Sequence, residues 1–261
     1  MTSQKVWLVT EASRGLGRAL AEEILGTGDL LVATAQNLAE LEPLVRRYGN
    51  EMRAVTLDVR NSKQVEVAPR TALESFGRLD VLVNNASYGV IDAIRTMTED
   101  EFRRNIDSNF WGVVHSMRAA LPIMRAQGFG DILQITSACD HIGTPDISGY
   151  GAVKSAIERL SEALALETRM LGINVSIVEV GSFNSDVAVS SQIREDSAAE
   201  SFNKPAHILR TPLQTAYSVS GDIVGAALAI LELTKGSFTS PPSSSTVGRC
   251  GPRRNQVPRR L

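Results

Sequence analysis

A tyrosine and a lysine four residues apart are the first side chains in this sequence that could do chemistry, in the stretch Tyr150-Gly-Ala-Val-Lys154. On a helix this spacing places both side chains on one face. An ammonium close to a phenol favours the phenolate, and such a phenol can exchange a proton with a carbonyl or alcohol oxygen. Ser137 lies thirteen residues before the tyrosine, and its hydroxyl could hydrogen-bond the same oxygen. The three residues predict acid/base chemistry on a small molecule.

A glycine-containing turn is the second candidate, in this case for binding phosphate. It reads Thr10-Glu-Ala-Ser-Arg-Gly-Leu-Gly17, between a short apolar run and a helix-like segment. Glycines allow the backbone to approach a pyrophosphate, and the helix N-terminus adds N–H groups and a positive dipole end. Arg14 could meet an added phosphate on the adenosine ribose. The next strand-like run ends in Gln36 and Asn37, without the carboxylate that an NAD site prefers, so the pattern favours NADP(H).

Short apolar runs alternate with helix-like segments and determine where these candidates lie. The strand-like runs are residues 6–9, 30–33, 52–57, 81–83, 132–135 and 173–178. The helix-like segments are residues 18–25, 38–48, 62–76, 107–125, 149–171 and 217–233. This alternation predicts a single α/β domain over 1–235, a Rossmann-type doubly wound parallel β-sheet in three α/β/α layers.

Composition argues against several other classes of protein. A net charge of −2 over 261 residues gives no reason to expect nucleic acid as a partner. The two cysteines and three histidines lack the spacing of metal ligands, so no metal is expected. The start of the sequence lacks the layout of a signal peptide, and no apolar run reaches membrane length. A cytoplasmic location without membrane contact is therefore expected.

Two segments break the alternation of strands and helices. Residues 182–215 are polar with scattered apolar positions, and a long excursion after a strand's carboxyl end predicts a lid over the substrate. Residues 236–261 begin with prolines and serines and then carry five arginines without an acidic residue. Such composition predicts a disordered tail.

Taken together, these motifs resemble the short-chain dehydrogenase/reductase family over roughly residues 5–233. The matching pieces are the turn over 10–17, Asp58-Val59, Asn84-Asn85-Ala86, Asn109, Ser137, Tyr150 and Lys154. The resemblance implies an oxidoreductase in which Tyr150 is the acid/base and Ser137 orients the substrate oxygen. Lys154 would favour the phenolate and hold the nicotinamide ribose, while Asn109 would anchor a water in the proton relay.

The same resemblance implies how cofactor, substrate and subunits would be arranged. The residues expected to contact NADP(H) are Ser13, Arg14, Gly15, Leu16, Gly17, Gln36, Asp58, Val59, Asn85, Ala86, Tyr150, Lys154, Gly181 and Ser185. Asp58 could accept a hydrogen bond from the adenine amino group, or it could instead cap the next helix. Tyr88, Trp111, His141 and Phe183 near the expected pocket mouth favour a small hydrophobic substrate. Pairing of the helices at 107–125 and 149–171 would give homodimers or homotetramers.

Four positions depart from the family pattern on the cofactor side. Glu11 replaces the first glycine of the phosphate turn, Ser87 replaces a glycine, and Val180 replaces a proline. Gln36 stands where relatives that prefer NADP(H) often have arginine. A carboxylate about 6 Å from a phosphate would cost roughly 3 kcal/mol at an effective dielectric near 20. Two alternatives therefore stay open. One is an isomerase, dehydratase or cyclase that uses Tyr150, Lys154 and Ser137 without redox chemistry, and the other is a binding protein without turnover.

Overall fold

The computed structural model describes residues 4–89, 94–137, 148–180, 222–234 and 245–247, and these contain one parallel sheet of seven strands. The strands are β1 (Val6–Val9), β2 (Leu30–Ala35), β3 (Met52–Thr56), β4 (Val81–Asn84), β5 (Gly130–Ser137), β6 (Ile173–Val180) and β7 (Ser245–Val247). Their order across the sheet is β3-β2-β1-β4-β5-β6-β7. Because the strand order reverses between β1 and β4, their carboxyl ends border the crevice where such sheets bind ligands.

Helices cover both faces of this sheet. They are α1 (Gly15–Gly26), α2 (Glu42–Tyr48), α3 (Ser62–Phe76), α4 (Glu99–Asn105), α5 (Gly112–Gln127), α6 (Ser148–Thr168) and α7 (Ile223–Leu233). One buried apolar cluster joins the sheet to α1, α2 and α7, and a second joins it to α3, α5 and α6. The predicted three-layer, doubly wound fold is confirmed.

The first strand shows why the chain folds into three layers. Successive side chains of a strand point to opposite faces. Trp7 and Val9 accordingly belong to one apolar cluster, and Val6 and Leu8 to the other, with all four at most 2% exposed. A strand that is apolar at every position must have both faces covered, as in a parallel sheet between helix layers.

The helix expected to begin at 107 begins earlier. Thr98 caps α4 with a capping box closed by Glu101, so the helical segment begins at Glu99. Between α4 and α5 the backbone widens into a π-helical segment, Ile106–Trp111. The apolar spacing of the sequence predicts neither the capped turn nor the π segment, because a single wide turn hardly changes a helical pattern.

The predicted lid over 182–215 lies outside the described residues. Of the tail over 236–261, the structure describes only Ser245–Val247, which form β7 and pair in parallel with the end of β6. None of the described helices combines the length and the apolar character needed to cross a membrane.

Candidate active site

The turn after β1 is held in place by hydrogen bonds from the loop that follows β4. Thr10 is 2% exposed, and its hydroxyl oxygen accepts from the backbone N–H groups of Asn85 and Ala86, each at 2.9 Å. The amide of Asn85 donates at 3.0 Å to the carbonyl oxygens of Thr10 and Glu11. A Cβ on Gly17 would lie 2.1 Å from the Glu11 carbonyl oxygen, so this position requires glycine. The start of the turn is therefore rigid.

Glu11 adopts a backbone conformation that glycine would adopt with less strain. Its φ is +55°, in the left-handed region. Its side chain turns toward Arg14, whose Nε lies 3.2 Å from the carboxylate, and the Ser13 hydroxyl lies 3.5 Å from the same oxygen. The Glu11 carboxylate is thus neutralised by an ion pair within the turn itself.

The first turn of α1 is able to receive a phosphate. Arg14 is the N-cap residue and supplies no side-chain hydrogen bond to the helix, whereas Asn61, Thr98 and Asp222 cap α3, α4 and α7 with theirs. The N–H groups of Gly15, Leu16 and Gly17 belong to this uncapped first turn. The turn that the sequence assigns to the cofactor therefore fits an anionic group at its backbone.

The ends of β2 and β3 form the side of the crevice expected for adenosine. Gln36 follows β2 and is exposed. Asp58 follows β3 and accepts from the Arg60 guanidinium at 2.6 and 2.9 Å. This hydrogen bond keeps the pKa of the Asp58 carboxyl below its usual range, although partial burial opposes the shift. Asn61, and not Asp58, caps α3, so the capping alternative for Asp58 is wrong.

Val59 meets the start of α5 beside this edge. A Cβ added to Gly112 would come within 2.8 Å of the Val59 side chain, and the Val59 carbonyl lies 3.1 Å from Nδ1 of His115. The indole ring of Trp111 stacks on His115 with ring centroids 5.9 Å apart and remains 44% exposed. Trp111 therefore presents an aromatic surface to solvent beside the start of α5, and its place at the pocket mouth stays a prediction.

Asn109 ties the loop after β4 to the π segment. It is 1% exposed, and its side-chain oxygen accepts from the Tyr88 N–H at 2.9 Å and from the Ser87 hydroxyl at 3.2 Å. Its amide nitrogen donates to the carbonyl oxygen of Tyr88 and to both oxygens of Asn105. These contacts use the whole hydrogen-bonding capacity of the Asn109 side chain within the protein.

Tyr150 and Lys154 share one face of α6. Lys154 is 4% exposed, its Nζ donates to the Ile135 carbonyl at 3.1 Å, and it lies 5.4 Å from the centroid of the Tyr150 ring. The Tyr150 hydroxyl lies 3.4 Å from the hydroxyl of Ser87. A buried cation therefore sits against the phenol, held by the backbone of β5.

Ser137 is the last residue of β5, where its backbone lies opposite Val180 at the end of β6. Its backbone is thus at the same edge of the sheet as the other predicted residues. Gly181 and Ser185, together with His141 and Phe183, lie outside the described residues.

Two contacts were missed at the sequence level. Asn105 is fully buried and holds Asn109 from one helical turn earlier, and Ser87 connects Asn109 with Tyr150. Asparagines four residues apart on a helical segment could have indicated the first contact. Serine at position 87, where the family pattern has glycine, could have indicated the contact with Asn109 and Tyr150.

The chain is similar to proteins named as oxidoreductases and reductases. Residues 5–196 match the family model described as short chain dehydrogenase. Oxidoreductase BOA17 of Botryotinia fuckeliana is 40% identical over 188 residues, which cover 72% of this chain and 69% of that protein. The 3-ketodihydrosphingosine reductase of Bacteroides thetaiotaomicron is 34% identical over 210 residues, which cover 78% and 76%.

Solved structures show the same similarity. A short-chain dehydrogenase from Streptomyces avermitilis is 35% identical with a TM-score of 0.81, covering 95% of this chain and 89% of that one. A short chain dehydrogenase/reductase from Burkholderia phymatum in complex with NAD is 25% identical with a TM-score of 0.77, covering 89% and 86%. This chain belongs to the short-chain dehydrogenase/reductase family and is an oxidoreductase.

Proposed function

We propose that this chain is an NADP(H)-dependent oxidoreductase that interconverts a ketone and a secondary alcohol on a small hydrophobic molecule. The observation that carries this proposal is the buried Lys154 ammonium against the Tyr150 ring, at the same sheet edge as the uncapped first turn of α1. A binding protein would have no need of a buried cation beside a phenol. Support also comes from the relative whose name specifies a 3-keto reductase.

In the reductive direction the Tyr150 hydroxyl would donate its proton to the carbonyl oxygen, and in the oxidative direction the phenolate would take the proton from the alcohol. The amine of Lys154 lies against the Tyr150 ring, and its bond to the Ile135 carbonyl fixes its place beside the hydroxyl that exchanges the proton. Ser137 would hydrogen-bond the reacting oxygen. When bound, the nicotinamide donates or accepts the hydride.

Asn109 has a positioning role in this proposal. Its side chain is occupied by Tyr88, Asn105 and Ser87, so a water in a proton relay would have to contact other atoms. What the Asn109 side chain does is fix the loop that carries Ser87 toward the Tyr150 hydroxyl.

Preference for NADP(H) rests on the exposed Gln36 after β2 and on Arg14 beside the turn. A carboxylate at the end of β2 would bind the ribose hydroxyls of NAD(H) and repel an added phosphate. Gln36 does neither. The Arg14 guanidinium can form two parallel hydrogen bonds with a phosphate.

The test is NADPH oxidation followed by absorbance, with a panel of hydrophobic ketones, for the native protein and Tyr150→Phe. We expect turnover in the native protein and a fall in kcat of about 10²–10⁴-fold in the variant. The Kd for NADPH, measured by calorimetry, should be nearly unchanged. Tyr48→Phe, which alters a tyrosine on α2 far from the crevice, is the matched control and should keep full activity.

The outcomes separate the three candidate functions. Substrate conversion without any nucleotide would replace the redox proposal with the isomerase, dehydratase or cyclase alternative. Nucleotide binding without turnover on any ketone or alcohol would favour a binding protein. Turnover with NADH alone would keep the oxidoreductase and overturn the choice of NADP(H).

A further inference from the structure

The position of Glu11 in the phosphate turn is fixed by its backbone. Its N–H donates to the Thr34 hydroxyl at 3.3 Å, and its carbonyl oxygen accepts from the Asn85 amide at 3.0 Å. Gly17 packs against the same carbonyl so closely that no side chain would fit there. Among the described residues, Glu11 is the one non-glycine residue with positive φ. The Glu11 side chain therefore leaves the turn from a point that cannot shift to avoid a ligand.

From this point the carboxylate reaches the one arginine of the turn. Oε1 of Glu11 lies 3.2 Å from Nε of Arg14, and the Ser13 hydroxyl approaches the same oxygen. The Glu11 side chain is 20% exposed and that of Arg14 is 43% exposed. An anion arriving from solvent could thus reach Arg14, but it would meet a guanidinium that already has a carboxylate partner.

The other described arginines around this side of the crevice also have carboxylate partners. Arg18, one turn further along α1, pairs with Glu22 at 2.7 Å, and Arg60 after β3 pairs with Asp58 at 2.6 Å. A phosphate on the adenosine ribose would therefore find the arginine of the turn, Arg14, engaged by an anion of the protein.

We infer that Glu11 is a specificity-determining residue whose carboxylate competes with the 2′-phosphate of NADP(H) for Arg14. NADP(H) would have to displace this carboxylate to gain its additional ion pair, whereas NAD(H) has no 2′-phosphate and can bind with the pair intact. Glu11 would therefore reduce the preference for NADP(H) that Arg14 and Gln36 otherwise provide. This inference rests on the proposed function, because it assigns adenosine to this edge of the sheet.

A second effect of the same carboxylate must be distinguished from the first. Glu11 also lies beside the turn expected to receive the pyrophosphate, which is common to both coenzymes. Repulsion of the pyrophosphate would weaken NADPH and NADH equally. Competition for Arg14 would weaken NADPH alone, so the ratio of the two dissociation constants separates the effects.

The experiment is calorimetric titration of the full chain with NADPH, NADH, adenosine 2′,5′-bisphosphate and adenosine 5′-monophosphate. The variants are Glu11→Gln, Arg14→Ala and the double variant, with Glu22→Gln as a matched control in the neighbouring ion pair of α1. Glutamine keeps the length of the side chain and removes its charge, and thermal unfolding of each variant verifies that it is folded.

We expect Glu11→Gln to tighten NADPH and the 2′,5′-bisphosphate by about tenfold, on the scale of a charge-assisted hydrogen bond. NADH and the monophosphate should change less than about twofold. In the Arg14→Ala background, Glu11→Gln should leave the ratio of the NADPH and NADH dissociation constants unchanged, because the guanidinium for which the carboxylate and the phosphate compete is gone. Glu22→Gln should leave the ratio unchanged in the native background.

Two results would overturn the inference while the proposed function stands. One is equal tightening of both coenzymes by Glu11→Gln, which would assign the carboxylate to the pyrophosphate. The other is a tenfold gain for NADPH that persists when Arg14 is alanine. If no variant bound either coenzyme, the proposed cofactor use itself would fail, and the inference with it.

Discussion

The two sides of the crevice are built differently. On the reaction side, Asn109 and Lys154 are almost fully buried, and each is anchored to the protein backbone. On the cofactor side, Thr10 is buried in the same way, but the side chains of Arg14 and Gln36 extend into solvent. Among these residues, the two named on the reaction side are buried and bonded to backbone groups, whereas the cofactor side presents the exposed guanidinium of Arg14 and the exposed amide of Gln36.

This difference bears on one of the positions where the sequence departs from the family pattern, Glu11 in the phosphate turn. A buried polar side chain that is bonded to backbone groups cannot be replaced without leaving those groups unpaired, which is costly. An exposed side chain on a fixed turn can be replaced at little cost to the fold. Glu11 is an intermediate case, because its backbone is constrained and its carboxylate is free to pair with Arg14.

The largest effect on stability is expected on the reaction side, for Asn109→Ala. The substitution leaves the N–H and carbonyl of Tyr88 and the side chain of Asn105 without their partner inside the protein. Unpaired buried groups cost about 1–3 kcal/mol each, so we expect the free energy of unfolding to fall by about 3 kcal/mol. Urea denaturation measures the change.

Asn50→Ala is the control for this substitution, because Asn50 is an exposed asparagine before β3. Its effect should stay within about 0.5 kcal/mol. An Asn109→Ala protein as stable as the Asn50→Ala protein would show that the reaction side is not held by its hydrogen bonds, and the contrast between the two sides would be lost.

A smaller effect is expected on the cofactor side, from a comparison of Glu11→Gly with Glu11→Ala. Both variants lose the ion pair with Arg14, but only glycine removes the strain of a φ of +55°. A left-handed backbone costs a non-glycine residue about 1–2 kcal/mol. The greater freedom of glycine in the unfolded chain offsets part of this gain.

We therefore expect the glycine variant to be more stable than the alanine variant by about 1 kcal/mol, or about 2–4 °C in Tm. Differential scanning calorimetry on both proteins gives the comparison directly. Equal melting temperatures would mean that the turn carries no strain at Glu11 and that its backbone can relax when the residue is replaced.

Sequence reasoning was sufficient for features that repeat along the chain and failed for single contacts across it. Apolar runs predicted six strands because strands of a parallel sheet that is covered on both faces are mostly apolar. The geometry of the ion pair between Glu11 and Arg14 was not predicted, since the placement of side chains in an irregular turn cannot be obtained from spacing. The contact of Ser87 with Tyr150 joins residues 63 positions apart and depends on how the π segment orients Asn109.

The smallest effect is expected for Ser87→Ala, which tests the contact between the hydroxyls of Ser87 and Tyr150. The Ser87 hydroxyl donates to Asn109 and lies 3.4 Å from the Tyr150 hydroxyl, a long hydrogen bond shared between two partners. Loss of a bond worth about 0.5–1 kcal/mol in the reacting state would lower kcat about two- to fivefold. KM should change little, because Ser87 acts on the proton donor and not on substrate binding.

Steady-state kinetics of native protein, Ser87→Ala and Ser87→Thr measure this effect, with the threonine variant restoring the hydroxyl. Rescue by threonine would assign the effect to the hydroxyl, and a rise in KM with unchanged kcat would contradict it. A loss as large as that of Tyr150→Phe would instead place Ser87 among the groups that exchange the proton. The reaction side would then depend on a residue that differs from the family pattern, as the cofactor side does at Glu11.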